Sequence, residues 1–187
     1  MKKFILCIAI TMCAIAYSSA QEKLIINTSK SELKWSADYT FYFGGHYGNV
    51  SFKEGYFIKS QEVIIGGEFI LDMNTITSTD IEKGDSNENL VNHLKNSDFF
   101  DVEKFPTAKL VITKVVYDDS THMRIFADLT IKGLKNPINF QAEVDYKKKQ
   151  MTTKFKIDRT LWRVNYNSTL KDGAISDAIG FEVKLSL

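Results

Sequence analysis

Cysteine is scarce and confined to one place. The chain has two, Cys7 and Cys13, both within the first twenty residues. If that segment is removed, the remainder holds no thiol. Disulfides and cysteine-ligated metals are then excluded, and stability must come from packing and strand pairing. Proline is nearly absent, with only Pro106 and Pro137, and no Gly/Ser-rich or low-complexity stretch divides the chain. Residues 21–187 therefore read as one domain, long enough to bury a sizeable core. No charge of one sign dominates either. Removing Lys2 and Lys3 takes the formal charge from +1 to −1, with both signs scattered. The concentrated positive field that nucleic acid demands is missing.

One long apolar run is present, Phe4 to Ala16, interrupted only by Thr11. It is too short to cross a bilayer comfortably, so no stable membrane span is expected. Lys2 and Lys3 precede it, and Tyr17-Ser18-Ser19-Ala20 follows, with small residues at the −3 and −1 positions of a cleavage after Ala20. That order predicts a secretory signal peptide over residues 1–20 and a periplasmic or secreted mature protein. Neither cysteine follows a small-residue box, which argues against a lipid-anchored form.

Past the leader, period-two alternation dominates. Met123, Ile125, Ala127, Leu129 and Ile131 face one way, with Phe126 as the exception on the other face. Ile138 to Tyr146, Met151 to Ile157 and Phe181 to Leu187 repeat the alternation. Glu32–Ala37, Val50–Ile58, Val63–Met73 and Lys109–Tyr117 read as further strands. Gly133 and Pro137 mark a turn, Lys147-Lys148-Lys149 a solvated hairpin tip, and Gly66-Gly67 a bulge or bend. About eight antiparallel strands in successive hairpins predict an all-β barrel or sandwich.

One segment departs from this. Asp85-Ser86-Asn87-Glu88 has the spacing of a capping box, and Leu90, Val91 and Leu94 then share a helical face. A short helix ending near Asn96 is expected to plug or flank one end of the barrel, beside Phe99-Phe100. Alternation leaves a packed core and a lined cavity equally open. Lys109–Tyr117 looks apolar on both faces, with Leu110, Ile112 and Val116 opposed to Val111, Val115 and Tyr117, which leans toward a cavity.

Several stretches, in order, resemble the YceI-like family of exported bacterial proteins. They are Gly66 to Ile76, Gly84-Asp85 with Leu90 to Leu94, and Asp98 to Ala108. Ala127 to Gly133 with Pro137, Asp158-Arg159-Thr160 and Ile175-Ser176-Asp177 complete the series. The resemblance implies a lipocalin-like antiparallel β-barrel whose lumen holds a polyisoprenoid or similar long-chain amphiphile. Trp162-Arg163-Val164 departs from it, since many relatives carry an aromatic followed by glycine there.

Catalytic constellations are weak. His46, His93 and His122 are far apart and lack metal-ligand spacing, and no phosphate loop, nucleophile elbow or calcium loop occurs. Neither a cofactor nor a catalytic residue is assigned. His93 and His122 read as surface groups. His46 reads as a solvated loop residue, with a ligand-headgroup contact as the alternative. Asp98, Asp101, Asp158 and Arg159 read first as local turn and ion-pair residues. Asn167-Ser168-Thr169 matches a glycosylation acceptor that is incidental in a bacterial protein.

The expected lining is Trp35, Phe41, Phe43, Leu110, Ile112, Met123, Ile125, Phe140, Phe155, Phe181 and Val183. Its partner is expected to be a long-chain isoprenoid or other lipid, and a homodimer is compatible with the pattern. Sequestration or transport of that lipid is the leading function. A ligand-free envelope stress-response or interaction domain ranks second. An enzyme acting on a lipid or quinone-like substrate, with His46 as acid–base, ranks third.

Overall fold

The computed structural model describes residues 20–97, 99–165 and 175–187. The leader upstream of Ala20, Asp98 and the Asn167-Ser168-Thr169 tract lie outside them.

Among the described residues ten strands form one antiparallel sheet: β1 (Glu22–Ile25), β2 (Glu32–Tyr39), β3 (Gly45–Asn49), β4 (Ser51–Ser60), β5 (Val63–Asp72), β6 (Thr107–Tyr117), β7 (His122–Ile131), β8 (Leu134–Asp145), β9 (Gln150–Asp158) and β10 (Ile175–Ser186). The spatial order is β1-β4-β5-β6-β7-β8-β9-β10-β2-β3. The expected antiparallel barrel is therefore present, with two strands more than the alternation suggested. β1 and β3 are both short, and β3 has two glycines in five residues, so neither produces a legible alternation.

The curl of the sheet is held by chain continuity. β3 runs through the single residue Val50 into β4, and the Val50 N–H donates to Leu33 O at 3.1 Å. Beyond β1, Ile26 N–H donates to Gly55 O at 3.1 Å and Asn27 N–H to Ser186 O at 2.7 Å, tying β4 to β10. One end of the barrel carries the short β4–β5, β6–β7 and β8–β9 hairpins. The other carries the long β5–β6 connection, the β2–β3 turn and the segment that begins at Arg159.

Register shifts reset strand parity in β4, β5, β6 and β10, and two of them bear on features expected from the sequence. In β6 the register with β7 shifts between Ile112 and Lys114. Upstream of this bulge Ala108 and Ile112 are buried; downstream, Val115 and Tyr117 pack on the core while Val116 is exposed. The apparent two-faced apolarity of this strand is thus one inner face displaced by one residue, not two buried faces. It gives no reason to prefer a cavity. A second shift, between Ile58 and Lys59 opposite Gly66 and Ile64, places a bulge at Ile65, directly before the Gly66-Gly67 pair. The turn at Gly133 also forms, with φ of +72° there and +50° at Lys132.

β8 and β9 pair only where Ala142–Asp145 meets Gln150–Thr153. Above that point they diverge, and Pro137 falls in the stretch of β8 that makes no ladder with β9. A 3-10 turn, Arg159–Trp162, fills the divergence. Trp162 is fully buried and its Nε1–H donates to Leu129 O at 3.0 Å, while Asn136 Nδ2 donates to Leu161 O at 2.9 Å.

The helix α1 spans Asp85–Lys95, close to the expected limits. Its N-cap is Gly84, at φ +150°, with no side-chain cap bond, so the Asp85–Glu88 capping box does not form. Asp85 and Glu88 instead lie inside the first turn, where carboxylates complement the helix dipole. Asn87 secures the helix start by donating to Ser78 O at 3.1 Å and Ile81 O at 2.8 Å.

Candidate functional site

Inward-facing side chains leave an unfilled space along the barrel axis. Its volume is about 160 Å³, and every strand except β1 contributes to its wall. Met151 and Ile157, at opposite ends of β9, both border it. At a rise of about 3.3 Å per residue, the residues that border it are spread over roughly 20 Å of strand. So small a volume over that length makes a thin channel, not a rounded chamber.

The walls are almost wholly hydrocarbon. Leu33 and Leu185 line the hairpin end, Leu110 and Ile112 the middle of one wall, and Leu71 its helical end. Opposite them stand Phe140 and Phe155, stacked at 4.5 Å with 13° between their planes, and Phe181 lies 5.3 Å beyond Phe155. The helical end is bordered by Leu90, His93 and Leu94 of α1 with Phe99 and Phe100, whose rings meet edge to face at 5.0 Å. The helix thus flanks one end of the barrel, one of the two placements expected from the sequence.

Of the expected lining, Trp35, Leu110, Ile112, Ile125, Phe140, Phe155, Phe181 and Val183 border the channel. Three do not. Met123 is fully buried but outside the wall, paired with Tyr117 beside the β6–β7 hairpin. Phe41 and Phe43 are exposed at 72% and 107% on the turn between β2 and β3. They were expected to line the lumen, but β2 ends at Tyr39 and no strand pairing turns them inward.

Polar groups gather at the helical end. His46 sits on β3, opposite Ala37, and borders the channel with 23% of its side chain exposed. Its Nδ1 lies 2.7 Å from Asp80 Oδ2 and its Nε2 2.8 Å from the Tyr39 hydroxyl. Asp80 also accepts from Ser78 Oγ at 2.7 Å and the Tyr47 N–H at 3.1 Å. Burial raises the Asp80 pKa, but hydrogen bonds from His46, Ser78 and Tyr47 outweigh it and hold the carboxyl below its ordinary range. With Asp80 ionised, its contact assigns the proton of neutral His46 to Nδ1, and Tyr39 donates to Nε2. The Tyr39 oxygen keeps acceptor lone pairs.

His46 is therefore a tethered residue at the channel mouth and not a solvated loop histidine. Gly48 makes the tether possible. A side chain there would bring its Cβ within 3 Å of the Thr77 backbone, and Thr77 and Thr79 donate to β3 at Asn49 O and Tyr47 O. That contact carries Asp80 to His46 across 34 positions of sequence. No local pattern advertises the pair.

His93 also differs from its expected place. It is half-buried, borders the channel, and lies 5.9 Å from the Phe99 ring. His122 is a surface group as expected, bonded to Asp119 in its own turn. Asp158 caps the 3-10 turn by accepting from Thr160 N at 2.9 Å and Oγ1 at 2.6 Å. Arg159 is buried, donates to the carbonyls of Val164, Ser176 and Ile175, and meets Asp177 at 3.0 Å. Both fit the local structural role. Among the described residues no group of three or more His, Cys, Asp or Glu could hold a metal ion.

Known proteins give this geometry its context. A "UPF0312 protein" of Vibrio vulnificus is 33% identical over 119 residues, 58% of this chain and 63% of that protein. The match thus spans less than two thirds of the relative's length. The name of that relative specifies no reaction. The crystal structure of Burkholderia cenocepacia BcnA superposes with a TM-score of 0.64, at 16% identity, over 86% of this chain and 98% of that one. It shares the fold. A Campylobacter jejuni YCEI protein gives a TM-score of 0.47 at 20% identity, over 98% and 97% of the two chains. The YceI-like domain matches residues 24–187, nearly the whole described barrel, and the chain belongs to that family.

Proposed function

We propose that this protein sequesters or transports a long, thin apolar molecule, a polyisoprenoid or similar lipid, within the barrel. The observation that carries the reading is the hydrocarbon-walled channel of about 160 Å³ drawn out along the strands. Family membership agrees with it. A compact void of this size admits a benzene-sized group. Stretched over roughly 20 Å, the same volume suits a single chain better than a fused-ring lipid. Burying hydrocarbon yields about 0.8 kcal/mol per CH₂, so each isoprene unit grosses roughly 3–4 kcal/mol. Ordering the chain consumes part of that gain, and because the space as it stands matches about one benzene-sized group, binding several units requires the barrel walls to move apart.

The Tyr39–His46–Asp80 group at the mouth supports a polar headgroup on the same ligand. The Tyr39 oxygen, donating to His46 Nε2, keeps lone pairs that accept from a ligand hydroxyl. With residues 1–20 removed as a leader, the protein works outside the cytoplasm, carrying the lipid through water.

The test is mass spectrometry of an organic extract from protein purified out of its native envelope without detergent. A stoichiometric long-chain lipid is the expected result. A folded protein with an empty extract overturns the carrier reading and favours a ligand-free interaction domain.

A further inference from the structure

The β2–β3 turn presents Phe41, Tyr42 and Phe43 in sequence, exposed at 72%, 66% and 107%. Nothing else in the described surface puts three consecutive large aromatic side chains into water. Single exposed apolar residues are ordinary, whereas a contiguous group marks a contact surface. The turn is closed, since Tyr39 N–H donates to Gly44 O at 3.0 Å directly beneath the tip. From Tyr39 to Phe52 the sequence contains no Asp, Glu, Lys or Arg, although a quarter of the chain is charged.

We propose that this hairpin docks the barrel on a lipid surface, with the three aromatic side chains entering the headgroup–acyl boundary. Three observations select that occupant. At about 150–250 Å² per aromatic side chain, three fall short of the roughly 800 Å² per partner of a standard protein interface. The tip is convex, so it needs no complementary pocket, and aromatic residues favour the membrane interface. Its lack of charge spares it the cost of carrying ions into lipid. Position supplies the purpose: the base of the hairpin bears His46 and Tyr39, so docking would set the channel mouth against the bilayer. Transfer of cargo at that mouth rests on the carrier reading; docking itself does not.

The experiment is co-sedimentation of the leader-free protein with phosphatidylcholine vesicles at low and high salt, alongside the Phe41→Ser/Phe43→Ser variant. Lipid content and oligomeric state are measured on the same samples. Wild type is expected to bind with little salt dependence. The double variant is expected to keep its urea midpoint and its bound lipid, while its partitioning falls about a hundredfold. Equal partitioning of variant and wild type overturns the proposal. So does wild-type binding that requires anionic lipid, failure of wild type to bind vesicles, or a wild-type dimer that the substitutions dissolve. Wild type that docks through the rings yet carries no lipid leaves docking standing and overturns the carrier reading.

Discussion

The Phe140–Phe155–Phe181 group inside the barrel and the Phe41–Tyr42–Phe43 tip outside it use one kind of side chain in opposite surroundings. The inner rings sit on paired strands, where alternation obliges every second residue to face the lumen, and their neighbours Gln141, Lys156 and Glu182 face out. The outer rings sit beyond the last β2–β3 ladder pair, Asp38 with Gly45, where nothing enforces parity. Hydrophobicity alone therefore does not say which side of the wall a phenylalanine occupies; backbone pairing does.

The largest effect is expected where the inner group depends on the plug between β8 and β9. Trp162→Ala removes a fully buried side chain and leaves Leu129 O without its donor. The loss should be about 3–5 kcal/mol of folding stability by urea denaturation. A loss under about 1 kcal/mol would mean that the divergent strands close without it.

Phe140→Ala comes next. Phe140 is mostly buried and stacked on Phe155, so about 2–4 kcal/mol should be lost, with a wider channel and altered lipid content. An unchanged lipid profile by mass spectrometry would argue that the stack does not meet the ligand.

Asp80→Asn probes the mouth that joins the two regions. Loss of charged hydrogen bonding to His46, Ser78 and Tyr47 should cost about 1–2 kcal/mol near neutral pH. Because the folded-state pKa of Asp80 is depressed, its contribution is fully present above the unfolded value and is lost as pH falls through the folded one. Wild-type stability should fall toward acid below about pH 4. Chemical denaturation across that range should show a shallower decline in the variant; parallel curves would remove Asp80 from the acid response.

The smallest expected effect completes the contrast. Phe43→Ala should leave stability within about 0.5 kcal/mol of wild type, because the ring makes no buried contact to lose. A substantial drop in the urea midpoint would mean that the tip folds back on the barrel.

Much of this architecture was legible before any coordinates. Alternation from Met123 to Ile131 places Ile125, Ala127 and Leu129 inside, and all three are buried. The helix and its Phe99-Phe100 partner were also recognisable, because a switch from period two to helical spacing interrupts the strands. Legibility failed at bulges and strand ends. Thr113 shifts β6 by one position, so Val115 packs inward where simple counting sends it to the opposite face from Ile112. The wall contributions of Trp162 and His93 were missed because both lie on helical turns, whose orientation is set by docking and not by strand parity.

Sequence by itself determined that this chain forms antiparallel strands in successive hairpins with one short helix, since short-range periodicity and turn chemistry act over a few residues; the choice of a barrel over a sandwich came from the resemblance to the YceI-like family. Tertiary structure decided what the barrel encloses and what it exposes. Whether apolar faces meet or leave a channel depends on curvature and on the divergence of β8 from β9. The His46–Asp80 contact depends on two segments meeting over Gly48. Those outcomes follow from the three-dimensional closure of a sheet, which brings together residues that no local pattern relates.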